Sequence, residues 1–313
     1  MNFQQLRIIR ETLRQQFNLT EVAHALFTSQ SGVSKHIKDL EDELGVEIFI
    51  RKGKRLLGLT EPGKELAKVV ERMLIEAQNI KRLADQFSQS EHGQLTIATT
   101  HTQARYALPP VVSAFKKAFP KVHLALHQGS PQETAQMLLE GRADLGIATE
   151  SLRYFPELVT FPFYSWHHAV IAPENHPLTQ QDPLTLEAVA EYPIVTYHTG
   201  FTGRKAIDEA FAEQSLAPDV VMSALDADVI KTYVELGLGV GIIASMAYHP
   251  DKDSGLRLLD SSHLFRQNTT RIAIRQGHYL RDYAYHFLQL CAAQLSKDAV
   301  QARLHPYADQ DEA

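Results

Sequence analysis

Apolar side chains at Phe3, Leu6, Ile9 and Leu13 recur at helical spacing and predict a first helix with one buried face. Val22, Ala23 and Leu26 predict a short second helix over residues 21–26, with Thr20 as its cap. Thr28 to Ser31 break the pattern. Val33, Ile37, Leu40 and Leu44 then resume it as a third helix, which Gly45 ends. Ala23 and Ala25 are small enough for close helix crossing, and Gly32 permits a close backbone approach. Leu56, Leu57 and Leu59 read as a short returning strand. From Thr60, a cap with Pro62 in the first turn, Leu66, Val69, Val70, Met73, Leu74, Ala77, Ile80, Leu83 and Phe87 mark one long helix. A helix this apolar cannot bury its stripe on a small head. Pairing with a second copy would cover it; packing within one subunit is the alternative. The polar stretch 88–93 reads as a hinge.

Beyond the hinge the pattern alternates. Strands are predicted at 95–100, 122–127 and 145–149, with helices at 107–118 and 131–139, the latter capped by Ser130. These are βαβ units, which predict a mostly parallel sheet. Residues 164–171, 220–225, a helix over 227–236 and 240–244 build a second lobe. Thr270 to Ile274 return as a strand, a helix closes over 279–294, and the chain after Ser296 reads as polar and loose. The predicted fold class is α/β with an N-terminal all-α winged helix-turn-helix, two α/β subdomains and a long linker helix between. The expected divisions are a head at 1–60, linker and hinge at 61–92, a ligand-binding body at 93–295 and a tail at 296–313. Within the body, lobe I takes about 93–162 and 268–295, and lobe II about 163–267.

Charge sharpens this division. Residues 1–60 carry nine Lys or Arg against seven Asp or Glu, a net of +2, so the remainder carries 22 against 30, a net of −8. A slightly basic head on an acidic body suits a small nucleic-acid reader better than a protein coated in basic residues. The single cysteine, Cys291, excludes an intramolecular disulfide and a cysteine-built metal site. The N-terminus lacks the basic-then-apolar run of a signal peptide, and residues 237–247 are apolar but too short to span a bilayer. A cytoplasmic place without membrane contact is therefore expected.

The third helix's phase turns Gln30, Ser31, Ser34, Lys35 and Lys38 outward, beside Thr28 and Ser29 in the break. Hydroxyls, amides and lysines at a helix start reach base edges and phosphates. A solvated basic flank is the competing reading. Arg51, Lys52, Lys54 and Arg55 surround a glycine turn, as the tip of a wing touching the backbone or minor groove, or as a solvated hairpin.

In the body, ligands are expected beyond the strand ends and at helix starts. Thr99, Thr100, Thr102 and Gln103, then Gln128, Gly129 and Ser130, then Thr149 and Glu150 occupy such places. The second lobe adds Tyr197, Thr202, Arg204, Asp226 and Asp228. Hydroxyls and backbone N–H groups suit a small oxyanion or carboxylate, although each threonine alone is also a natural helix cap. Arg204 supplies a charge-assisted contact or pairs with Asp208 or Glu209. Trp166 lines a pocket or fills the core. No catalytic constellation emerges. His167 and His168 are adjacent on a strand and face opposite ways, Asp226 reads as a cap and Asp228 as a first-turn residue, and Gly237-Leu-Gly-Val-Gly lacks dinucleotide spacing. Neither an enzyme nor a metal site is expected.

The segments Thr20 to Leu44, Gly45-Val-Glu-Ile-Phe49 and Leu59 to Gly63 resemble the LysR-type transcriptional regulators, and the likeness extends over nearly the whole chain. Ser31 and Glu61 stand where that family usually has proline. Thr99-Thr-His-Thr-Gln-Ala-Arg-Tyr-Ala-Leu-Pro109, His127-Gln-Gly-Ser-Pro131, Ala148-Thr-Glu150 and Gly200-Phe-Thr-Gly203 are similar to the family's cysteine-biosynthesis branch. The resemblance implies two lobes like those of periplasmic binding proteins, with Thr100, Thr102, Gln103, Thr149 and Thr202 lining the cleft. It implies acetylserine as inducer, with sulfate or thiosulfate as anionic ligands. Expected partners are promoter DNA, a second copy through the linker helix, a homotetramer, and RNA polymerase. A related branch implies alkanesulfonate or other organosulfur control instead.

Overall fold

The computed structural model describes residues 1–53, 55–88, 92–201 and 203–304. Lys54, Thr202, residues 89–91 of the hinge and residues 305–313 of the tail lie outside the described residues. The chain divides into two compact units, 1–84 and 85–313.

The first unit holds α1 (Phe3–Arg14), α2 (Leu19–Ala25), α3 (Gln30–Leu44) and the antiparallel wing strands β1 (Phe49–Lys52) and β2 (Arg55–Leu59). Leu6, Ile9, Val22, Val33, Ile37, Leu40 and Phe49 form its core. The second helix starts earlier than predicted. Asn18, not Thr20, caps it, its side chain accepting from the amides of Thr20 and Glu21. Ser29 caps α3 by accepting from the Gly32 amide at 3.1 Å, and Gly45 closes that helix in the left-handed region at φ 69°.

The long helix α4 (Glu61–Ser88) begins where the Thr60 hydroxyl accepts from the Gly63 amide at 3.0 Å. A Cβ on Gly63 would lie 2.1 Å from the Ile48 carbonyl oxygen, so only glycine lets the helix start there. The apolar stripe divides. Val70 and Leu74 join the core of the head, whereas Val69, Met73, Ile80, Leu83 and Phe87 are exposed.

The second unit contains two five-stranded sheets. In lobe I, β3 (Gly93–Thr99), β4 (Val122–Gln128) and β5 (Leu145–Ala148) are parallel, with α5 (Pro109–Ala118) and α6 (Pro131–Leu139) between them in sequence. The chain continues through β6 (Leu158–Trp166) and enters lobe II as β7 (His168–Pro173). Lobe II carries α7 (Leu186–Ala190), β8 (Ile194–Tyr197), α8 (Arg204–Glu213), β9 (Val220–Ala224), α9 (Ala227–Glu235), β10 (Val240–Ala244) and β11 (Leu256–Leu259). It then returns as β12 (Asn268–Arg275), followed by α10 (Asp282–Cys291) and α11 (Lys297–Leu304).

Strand order is β4-β3-β5-β12-β6 in lobe I and β11-β7-β10-β8-β9 in lobe II. Each lobe thus repeats one plan: three parallel strands, then one strand antiparallel to them, then an edge strand antiparallel to that one. The expected mostly parallel sheet is corrected to a mixed one. The physical reason is that β7 and β12 each enter from the other lobe and run against the parallel set.

Two boundaries also move. Residues 163–166 belong to the lobe I sheet, because β6 pairs with β12 as far as Trp166 opposite Asn268. Residues 297–304 are not loose: Val300 and Leu304 of α11 are buried in the lobe I core. The helix expected at 107–118 starts at Pro109, after a π-helical turn over Gln103–Ala107. The helix expected over 279–294 is confined to Asp282–Cys291. Among the described residues no helix is long and apolar enough to cross a membrane.

Candidate functional site

The head presents one polar row. Thr28, Ser29, Gln30, Ser31, Lys35 and Lys38 are exposed and Ser34 is half-buried, while Val33, Ile37 and Leu40 anchor the opposite face of α3. Lys35 and Lys38 have no ion-pair partner among the described residues. Ser29 is partly committed, since its hydroxyl caps α3 and lies 3.2 Å from the Ser31 hydroxyl.

In the wing, Lys52 and Arg55 are exposed around the Gly53 turn. Arg51 differs. Its Nη2 lies 2.6 Å from the buried Glu41 carboxylate, whose other oxygen accepts from the amides of Ile48 at 2.8 Å and Phe49 at 3.1 Å. Glu41 therefore fastens α3 to the wing, and Arg51 is drawn back toward the head.

In the body, the threonine-rich end of β3 is buried: Thr99, Thr100, Thr102 and Gln103 are all nearly inaccessible. Their polar groups are unequally committed. The Thr99 hydroxyl donates to the Ile147 carbonyl at 2.8 Å. Gln103 Oε1 accepts from the Tyr164 hydroxyl at 2.5 Å, which directs its amide nitrogen elsewhere. The Thr100 hydroxyl has no partner among the described residues.

At α6, Ser130 and Glu133 form a capping box. The Ser130 hydroxyl accepts from the Glu133 amide at 3.1 Å, and Glu133 Oε2 accepts from the Ser130 amide at 2.7 Å. That backbone hydrogen bond, with the one to the Ser130 side chain, holds the Glu133 carboxyl below its ordinary range. A carboxylate thus already occupies this helix start. Gln128 remains exposed and Gly129 partly so.

Thr149 is buried, with its hydroxyl 3.1 Å from that of Ser151, and Glu150 accepts from the Thr269 amide at 3.4 Å. Trp166 is buried at the crossover between lobes, its indole N–H donating to the Thr270 hydroxyl at 3.1 Å. His168 is fully buried among Trp166, Tyr197 and Phe265.

Arg204 resolves its two readings toward pairing. Its Nε lies 2.7 Å from Asp208, and Nη1 donates to the Tyr197 carbonyl at 2.6 Å. Asp226 caps α9 by accepting from the Val229 amide at 3.0 Å, and Asp228 sits in its first turn.

Asp228 also does something the sequence pattern gave no sign of: it reaches lobe I, where the Tyr106 hydroxyl donates to it at 2.6 Å and Arg105 Nε lies at 3.3 Å. Lys231 Nζ lies 3.2 Å from the same carboxylate. Burial works to raise the Asp228 carboxyl, but the hydrogen bonds from Tyr106 and Lys231 and the charges of Lys231 and Arg105 outweigh it and hold it below its ordinary value. Burial, then the bond to Asp228 and its charge, push the Tyr106 phenol well above its usual range.

His101, Asp226 and Asp228 bring possible ligand atoms within 4.8 Å of one another. Asp226 is already spent on its helix and Asp228 on two cations, which disfavours a metal ion there.

The chain matches a profile described as "Bacterial regulatory helix-turn-helix protein, lysR family" over residues 3–64, and one described as "LysR substrate binding domain" over residues 88–296. It is 61% identical over 297 residues to the HTH-type transcriptional regulator SsuR of Burkholderia cenocepacia, covering 95% of this chain and 96% of that one. It is 54% identical over 311 residues to the regulator cbl of Escherichia coli, covering 99% and 98%. It is 52% identical over 309 residues to the regulator CysB of Burkholderia cenocepacia, covering 99% of each. Among solved structures, the cofactor-binding domain of the Cbl transcriptional regulator superposes with a TM-score of 0.66 at 50% identity, covering 68% of this chain and 93% of that one.

Proposed function

The chain belongs to the LysR family of DNA-binding transcriptional regulators, and on that premise we propose that it controls sulfur assimilation and cysteine biosynthesis in response to a small molecule held between its lobes. Like those relatives it is a regulator and not an enzyme. Near-full-length likeness to the regulators named CysB and Cbl carries this reading. The exposed row of Gln30, Ser31, Lys35 and Lys38 supports it as the face that enters a major groove, with Lys52 and Arg55 on the adjoining backbone. The exposed part of the α4 stripe supports pairing with a second copy, which sets two heads at successive grooves.

The effector is proposed to be acetylserine, or sulfate or thiosulfate, at Thr100, Gln103 and Thr149, which sit where β3 and β5 end. A ligand there changes the transcriptional output only through unequal affinity for two lobe arrangements. A second reading, control of alkanesulfonate or other organosulfur use, draws support from the greater identity to SsuR and Cbl than to CysB, 61% and 54% against 52%.

Footprinting on promoter DNA with acetylserine, sulfate, thiosulfate and adenosine phosphosulfate tests both readings. Acetylserine or thiosulfate is expected to alter the protected length and the transcript yield. A response to adenosine phosphosulfate alone would favour the second reading. An unchanged footprint and yield with all four would reject the sulfur assignment.

A further inference from the structure

We propose that Arg105 and Tyr106 of lobe I clasp Asp228 of lobe II as an interlobe latch that sets how tightly the cleft closes on its ligand. This rests on the cleft being the effector site.

The latch is built from both sides. On lobe I, the π-helical turn over Gln103–Ala107 carries an extra residue per turn and so rotates Arg105 and Tyr106 off an α-helical course. The Tyr106 ring packs on the lobe II core, and its hydroxyl donates to Asp228 Oδ1 at 2.6 Å while Arg105 Nε meets Oδ2 at 3.3 Å. On lobe II, Lys231 Nζ is fixed by the Ala247 carbonyl at 2.9 Å and by Asp253 at 3.0 Å. From there it reaches Asp228 at 3.2 Å and lies 5.6 Å from the centre of the Tyr106 ring. One carboxylate is thus held by a cation from its own lobe and by a hydroxyl and a cation from the other.

These are positioning residues. Bonds that exist only when the lobes are together lower the free energy of that arrangement, and a ligand held by both lobes then spends less of its affinity on closure.

The test uses the full-length chain with nitroxides at Lys117→Cys in lobe I and Glu187→Cys in lobe II, both exposed positions, diluted with unlabelled chain. Cys291, its thiol pushed up to about 12 by burial, resists labelling. Tyr106→Phe and Asp228→Asn are each expected to broaden the interlobe distance distribution. The double variant should go little further than Asp228→Asn, because the Tyr106 contact is one of the three that the Asp228 substitution weakens. Affinity for acetylserine or sulfate by calorimetry is expected to fall about three- to tenfold, as for a charge-assisted hydrogen bond in a half-exposed site. Unchanged distributions in correctly melting Tyr106→Phe and Arg105→Gln variants would overturn the latch, as would strictly additive broadening. Shifted distributions with no binding of either compound to the parent chain would support the latch and reject the effector reading.

Discussion

Glu41 illustrates how one side chain fixes local geometry. It sits on the buried side of α3, yet its carboxylate is satisfied by two wing amides and the Arg51 guanidinium. Removing it leaves the Ile48 and Phe49 amides unpaired next to the core, and a buried unpaired donor costs on the order of 1–3 kcal/mol. Glu41→Ala is therefore expected to destabilise the head by about 3 kcal/mol in thermal or urea unfolding, with Glu41→Gln losing roughly half of that. Equal melting of the alanine variant and the parent would refute this role. Phe27 lies at the opposite extreme: it is 98% exposed and held at φ 52°, so the helix-turn-helix bend is set by its backbone and not by burial of its side chain.

At the element scale, α4 serves two masters. Val70 and Leu74 complete the head, and Ile80 and Phe87, at 68% and 84% exposure, do not. Exposed apolar side chains at helical spacing are expected to find a partner surface. Ile80→Asp should raise the dimer dissociation constant more than tenfold in sedimentation experiments while leaving the head's melting unchanged, because Ile80 contributes nothing to that core. Undiminished dimerisation would exclude this face. The element boundaries show what periodicity can and cannot deliver. The long helix and the third helix follow directly from apolar spacing. The start of α2 does not, because Asn18 and Thr20 are both good caps and only tertiary packing of Leu19 selects the earlier one. The π-helical turn left no mark in the pattern, since the same residues fit an α-helix.

For the molecule as a whole, two lobes joined by two crossing strands make the junction between them the place where small free energies act. Asp228 is held below its ordinary value there, facing Arg105, Tyr106, Lys231, His101 and Asp226. A carboxyl depressed by its partners contributes above the ordinary carboxylate range, and that contribution disappears as pH falls through its folded value. Interlobe distances in the labelled chain are accordingly expected to hold steady from neutral pH down to about pH 5 and to broaden only below about 4, the ordinary aspartate value. Broadening that begins near neutral pH would instead show that Asp228 is not the group in control.

The sequence by itself determined the parts whose information is local. Apolar periodicity set the helices of the head and linker, alternation set most strands of the body, and hydroxyls collected at strand ends because those positions start helices. It also placed Asp226 and Asp228 at the start of α9. Tertiary structure alone decided the partners of those groups. Tyr106 and Asp228 lie 122 residues apart, and Trp166 and Thr270 lie 104 apart. Only the order in which β7 and β12 cross between lobes brings each pair together. For the same reason the sheets are mixed, and the segment after Ser296 is a packed helix: both depend on which distant surface is left uncovered. Short-range pattern fixes an element's form, and its partner is set by the free energy of burying all such surfaces at once.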